Sequence, residues 1–160
     1  MHNRRWAPVL VIMLLGALAV MAWVLWRNNP RAEKRFNVLL ITLDTTRADR
    51  LGCYGYDQAE TPTLDELAAR GVRYENVYAP VPLTLPSHAT ILTGLDPPEH
   101  GLHDNARGSL GPDPVVLAEI FRDRGYRTAA FPAAFVLDKQ FGLDRGFEVY
   151  DDRMGPPTDG

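Results

Sequence analysis

Phe36-Asn37-Val38-Leu39-Leu40-Ile41-Thr42-Leu43-Asp44 is the stretch on which the fold turns. Apart from Asn37 and Thr42, the residues before the aspartate are apolar, and most are branched. Such a run predicts a strand buried on both faces of a parallel sheet. Asp44 stands at its carboxyl end, where open α/β sheets bind ligands. Downstream, helical and extended patterns alternate. Thr61 to Gly71 predicts a helix, with Thr63 and Glu66 as a capping box and Gly71 as its stop. Val72 to Ala79 predicts a strand. Pro97 to Asn105 reads as a polar loop. Pro114 to Arg124 predicts another helix, with Val115, Val116, Leu117, Ile120 and Phe121 on its apolar side and Gly125 after it. Tyr126 to Phe131 and a part of Phe141 to Tyr150 predict further strands, and the end from Gly155 is a turn-rich tail. Strands alternating with helices define an α/β class.

Upstream of Phe36 the composition changes. Ala7 to Trp26 is 20 residues without a charge. As a helix it would span roughly 30 Å, the thickness of a bilayer core. It predicts a transmembrane anchor over 7–26, with a flank at 1–6 and a polar linker at 27–35. A cleaved signal peptide is the rival, because Ala17-Leu18-Ala19 resembles a cleavage site. The apolar run continues past it to Trp26, which favours an uncleaved anchor. Arg4 and Arg5 precede the run; Arg27, Arg31, Lys34 and Arg35 follow it. By that count the body is cytoplasmic.

The totals exclude some classes. The chain has 160 residues, about one domain, and a formal net charge of −3. No basic surface points to nucleic acid, so none is expected as a partner. The single Cys53 excludes an internal disulfide and a multi-cysteine zinc site. It is expected to be a small buried hydrophobe.

Chemistry concentrates in Pro82-Leu83-Thr84-Leu85-Pro86-Ser87-His88-Ala89-Thr90-Ile91-Leu92-Thr93-Gly94. Pro86 suits the first helical position and Gly94 a left-handed stop. Thr84 is then expected just ahead of a helix N-terminus, where free N–H groups collect anions. A hydroxyl there could attack a phosphate or sulfate ester held by the backbone; an ordinary capping loop is the plainer reading. Asp44 reads either as a ligand for a hard divalent cation or as a turn residue. His88, His100 and His103 flank the loop without the paired helical spacing of a tight zinc site. Asn105 could donate to an oxyanion or be a plain loop residue. Arg47 reads as an ion-pairing surface residue.

Three blocks, taken together, resemble the sulfatase family of the alkaline phosphatase superfamily. The first runs Asn37 to Arg47, with Leu51-Gly52-Cys53-Tyr54-Gly55 after it. The second is Thr61-Pro62-Thr63-Leu64-Asp65, with Leu67-Ala68 and Gly71-Val72. The third is Thr84-Leu85-Pro86-Ser87-His88-Ala89, with Leu92-Thr93-Gly94 and His100-Gly101. Gly142-Leu143-Asp144-Arg145-Gly146-Phe147 is similar to a later segment. The resemblance implies the N-terminal portion of an alkaline-phosphatase-like sandwich over 36–160, built on a central, mixed, mostly parallel sheet and truncated on its C-terminal side. Further metal ligands of the superfamily, an Asp-His or Asp-Asn pair, come much later, and nothing after Asn105 offers one. An incomplete metal site, an exposed sheet edge and poor solubility are therefore expected of this piece alone.

Two departures bear on chemistry. Sulfatases place Cys or Ser, the precursor of formylglycine, where this chain has Thr84, and Arg where it has His88. A second acid usually follows the first; here Thr45 follows Asp44. The loop also resembles nucleotide pyrophosphatase/phosphodiesterases, whose pattern falls on Thr84, Pro86, His88, Thr93, Gly94, His100, Gly101 and Asn105, with Asp44 and Arg47 at the strand end. That resemblance implies Thr84 as nucleophile and metal ligand, Asp44 as metal ligand, and Asn105 on a phosphoryl oxygen, with His88 beside them and zinc or calcium as the divalent metal. The expectation is a membrane-anchored, metal-dependent hydrolase of phosphate esters or diesters acting through Thr84. Its substrate would be a small molecule or a glycan or lipid ester. A sulfuric ester hydrolase and a non-catalytic fragment or pseudoenzyme are the alternatives. Against the Lys/Arg count, the resemblance implies an extracytoplasmic body, and that is the expectation retained.

Overall fold

The computed structural model describes residues 7–27 and 36–154. The flank 1–6, the linker from Asn28 to Arg35 and the tail from Gly155 lie outside the described residues. The chain divides into two compact units, one ending at Thr42 and the other beginning at Leu43.

In the first unit, helix α1 covers Ala7–Arg27, 21 residues, in agreement with the uncharged run. Its described side chains, over 10–25, are all exposed. Among the described residues no helix is long and apolar enough to cross a membrane. The expected strand at 36–43 does not form. Phe36 to Leu43 has no regular structure, and Leu39 is 82% exposed. A parallel strand depends on ladder bonds at its edges and on cover over its faces. Among the described residues nothing pairs with it.

In the second unit, helix α2 spans Pro62–Arg70 with Gly71 as its cap. It starts at Pro62, whose ring suits the first position, so the Thr63–Glu66 box is not used. Thr61 Oγ1 instead accepts from the Gly52 N–H at 3.0 Å, and Asp65 accepts from the Cys53 N–H at 2.6 Å. These bonds dock the turn at Gly52–Tyr54 onto α2 and leave Cys53 half-buried rather than buried. Val72 to Ala79, expected as a strand, is irregular, with Tyr78 85% exposed.

Helix α3 spans Thr84–Thr93 and begins two residues earlier than expected. Leu83 is its extended N-cap, and Pro86 is its third residue. Proline is tolerated there because none of the first four helical N–H groups has an intrahelical acceptor. Gly94 ends the helix at φ 72°, as expected. The polar loop that follows contains a short helix α4, Pro97–His100, in which the Glu99 carboxylate accepts from the Asp96 N–H at 3.0 Å. Helix α5 spans Leu117–Asp123. It is shorter than expected, and its apolar side is narrower: Val116 and Ala118 are buried, while Val115 and Ile120 are exposed.

Two-residue strands β1, Ala129–Ala130, and β2, Val149–Tyr150, pair in parallel with Ala129 opposite Val149. Both fall where strands are expected, but a two-stranded sheet is all the described residues form. The core lies beside it. Leu85 and Ala89 of α3 meet Leu102, Leu110, Val116, Ala118, Leu137, Phe141 and Leu143. Arg145 holds this region from within, donating to the carbonyls of Gly111 at 3.0 Å and Pro112 at 2.9 Å, and to that of Pro114. The next residue must be glycine. Gly146 has φ 83°, and a Cβ on it would enter the backbone of Ala118 and Glu119. Tyr150 closes the edge: its hydroxyl donates to the Leu137 carbonyl at 2.5 Å, and burial pushes its pKa up to about 12.

Candidate active site

Helix α3 organises the candidate site. It forms because Leu85 and Ala89 sit one turn apart and both face the core, fully buried. Thr84 is thereby fixed as the first helical residue, half-buried at the free N-terminal end. It does not precede the helix, as expected; it opens it. Asn105, 20 residues beyond Leu85, returns to the same end. Its Oδ1 accepts from the Leu85 N–H at 2.9 Å. That bond satisfies one of the helix's orphan donors. It also assigns the amide: with Oδ1 turned to the helix, the two Nδ2 hydrogens are the donors left for a ligand.

His88 lies one turn after Thr84 and is half-buried. Its Nδ1 is 2.8 Å from the Thr84 carbonyl oxygen, which can only accept, so Nδ1 carries the proton. Ser87 donates to the Val81 carbonyl at 3.0 Å and ties the preceding loop to the helix. The structure thus brings Thr84, His88 and Asn105 to one end of α3.

Asp44 is placed differently. It is exposed, its Oδ1 accepts from the Thr45 N–H at 2.7 Å, and Thr45 takes φ 55°. This is the turn geometry that was the alternative for Asp44. Arg47 pairs with Asp49 at 2.7 Å, as expected of an ion-pairing surface residue. Asp49 is held below its ordinary carboxylate range by that hydrogen bond.

His100 and His103 part company. His103 is exposed, whereas His100 is 4% exposed. The His100 Nδ1 accepts from the Leu102 N–H at 3.1 Å, so its proton lies on Nε2, which faces Thr90 Oγ1 at 3.2 Å. Burial lowers its pKa from the ordinary value of 6.5, and the neighbouring His103 adds to the effect. Sequence gave no sign of this bridge, because its partners are a backbone N–H and a threonine.

Sulfatases as a group use a divalent metal. A site for one needs several converging oxygen or nitrogen donors. Among the described residues no group of three His, Cys, Asp or Glu side chains could hold a metal ion. The expected ligands Asp44 and Thr84 are two donors, too few by themselves to hold one.

The sulfatase family model matches residues 36–154, so the chain belongs to the sulfatase family. N-acetylglucosamine-6-O-sulfatase of Bacteroides thetaiotaomicron is 32% identical over 139 residues, covering 86% of this chain and 24% of that protein. Human arylsulfatase A is 41% identical over 97 residues, 58% of this chain and 19% of that protein. Mouse steryl-sulfatase is 40% identical over 132 residues, 74% of this chain and 21% of that protein. Among solved structures, a 2-O GAG sulfatase superposes with a TM-score of 0.58 at 29% identity, covering 70% of this chain and 24% of that one. The chain therefore spans about a fifth to a quarter of the length of these relatives.

These findings correct the expectation of phosphate ester chemistry. The relatives are named for sulfate esters, and the family match runs along the whole of 36–154. The phosphodiesterase pattern rests on eight loop positions and two at the strand end. The match over 36–154 and the relatives' names outweigh those ten positions.

Proposed function

We propose that this chain carries the nucleophile end of a sulfuric ester hydrolase acting on a sulfated sugar or other sulfated hydroxyl compound. The observation that carries it is the closure of α3's N-terminus by Asn105, which puts a hydroxyl, a helix end and an amide NH₂ together. In this reading Thr84 Oγ attacks the sulfur and gives its proton to His88. The bond from sulfur to the substrate's alcohol oxygen breaks, and that oxygen leaves with the electron pair and takes a proton. Water then attacks the sulfur of the Thr84 sulfate ester, releasing sulfate and restoring the hydroxyl. The helix N-terminus and the Asn105 NH₂ stabilise the oxygens that gain charge.

Asp44 stays in the proposal as an oxygen ligand for a divalent metal, calcium or zinc, with its remaining ligands outside the described residues. Oxygen donors suit calcium better. Anchoring through α1, with the catalytic body outside the cytoplasm, belongs to the same proposal. The anchor is supported by a 21-residue helix over an uncharged run, and the outward orientation by the family match, against the Lys/Arg count. Sulfated glycans as the substrate class are supported by the likeness to the N-acetylglucosamine-6-O-sulfatase and the 2-O GAG sulfatase.

The test is hydrolysis of a chromogenic sulfate ester by the full-length protein that contains this chain. Thr84→Ala is expected to lower kcat/KM by about 10³-fold or more, with Thr84→Ser retaining most of the activity. Unchanged turnover by Thr84→Ala would remove Thr84 from the reaction.

A further inference from the structure

Buried histidine His100 lies outside the reacting group, yet it bridges the two segments that make it. On one side its Nε2 faces Thr90 Oγ1 of α3 at 3.2 Å. On the other side its Nδ1 accepts from the Leu102 N–H at 3.1 Å. Leu102 opens the loop that reaches Asn105 three residues later, and Asn105 Oδ1 returns to α3 at Leu85. The chain is therefore closed into a ring: Leu85 to Thr90 along the helix, across His100 to Leu102, and along the loop back to Leu85. Leu85 and Leu102 are themselves core residues, so apolar packing holds the same two segments.

We propose that His100 is a positioning residue, which in its neutral Nε2–H form sets the place of the Asn105 amide at the N-terminus of α3. The inference rests on the functional reading above for its catalytic consequence, but not for the geometry. Only imidazole among neutral side chains offers an acceptor and a donor about 2 Å apart on opposite sides of one rigid ring. One bond fixes the loop, the other fixes the helix, and the ring sets the distance between them. A shift of about 1 Å in a group that meets the developing charge can cost about 100-fold in rate.

Two readouts in the full-length protein separate this from a merely structural role. The first needs no activity: amide exchange and chemical shift at Leu85, followed by NMR. His100→Gln and His100→Phe are both to be made, since the phenylalanine variant keeps the ring's bulk and the glutamine keeps one polar end. In both, the Leu85 amide is expected to exchange at least about tenfold faster and to move toward its shift in Asn105→Ala. The second is a double-mutant cycle on turnover of the chromogenic sulfate ester. His100→Gln alone is expected to lower kcat about 10- to 100-fold with KM within about twofold. In an Asn105→Ala background the same substitution should change kcat by less than about threefold, since its target is gone. A Leu85 amide unchanged in both variants, or losses that multiply in the cycle, overturns the proposal. If no sulfate ester is turned over, the functional reading fails, and the Leu85 amide still decides the inference.

Discussion

Thr84 shows how much a single residue's setting depends on the one beside it. Leu85 is fully buried, and the helix rotates to bury it; Thr84 then lies at the helix end with its side chain only half-buried. Pattern alone put Pro86 at the first helical position, because proline favours it. Core burial of Leu85 drew the helix two residues further, a tertiary effect that no local rule contains. Asn105 was legible only as a possible donor or a plain loop residue, since the helix N–H that its Oδ1 accepts from is 20 residues away. At this scale pH offers a direct check. Folding lowers the pKa of His100 through burial, so between that lowered value and 6.5 the unfolded chain binds more protons than the folded one. Stability is therefore complete above about pH 6.5 and falls as the pH drops toward the folded value. Tm measured from pH 7.5 down to 5 should decline, and His100→Gln should flatten that slope. The Asp151 carboxylate, held at about 2 by its Arg153 hydrogen bond, titrates too low to interfere.

Elements show which sequence signals carry their own weight. The helix stops at Gly71 and Gly94 were legible because a glycine cap is a local property. The two parallel strands came out where the sequence suggests, tied by the Glu148 N–H to the Thr128 carbonyl at 3.0 Å and the Asp151 N–H to the Ala130 carbonyl at 3.0 Å. Strands at 36–43 and 72–79 did not form, because a strand is defined by a neighbour and a hydrophobic run supplies none. The Gly142-to-Phe147 segment, known from sequence only by resemblance, is a structural hub built on Arg145. Arg145→Met leaves three carbonyls without their charged donor and should destabilise the fold by about 2–4 kcal/mol in urea unfolding. Two glycines give a sharper contrast. Gly94→Ala meets open space at φ 72°, and should cost about 1 kcal/mol of conformational strain. Gly146→Ala would also drive a Cβ into the α5 backbone, and should cost more than about 3 kcal/mol. Equal losses for the two would refute the close approach at Gly146.

At the scale of the whole molecule, two apolar runs among the described residues stay exposed. Phe36, Leu39, Ile41, Val72, Tyr74, Val77 and Tyr78 are each at least 66% exposed. Exposed apolar runs of this kind mark an interface or an aggregation hazard. The chain covers about a fifth to a quarter of its relatives' length. Residues 36–154 produced alone should self-associate, seen as early elution in size-exclusion chromatography and strong binding of a hydrophobic dye. A monomeric, dye-free product would mean these runs find cover that the structure does not show.

The central claim is sulfate ester chemistry at Thr84, and substrate preference tests it most directly. The full-length protein should be given p-nitrophenyl sulfate and bis-p-nitrophenyl phosphate side by side, each with wild type and with Thr84→Ala. The account predicts faster turnover of the sulfate ester, lost in Thr84→Ala. Turnover of the phosphodiester alone, or a sulfatase activity that survives Thr84→Ala, would contradict it.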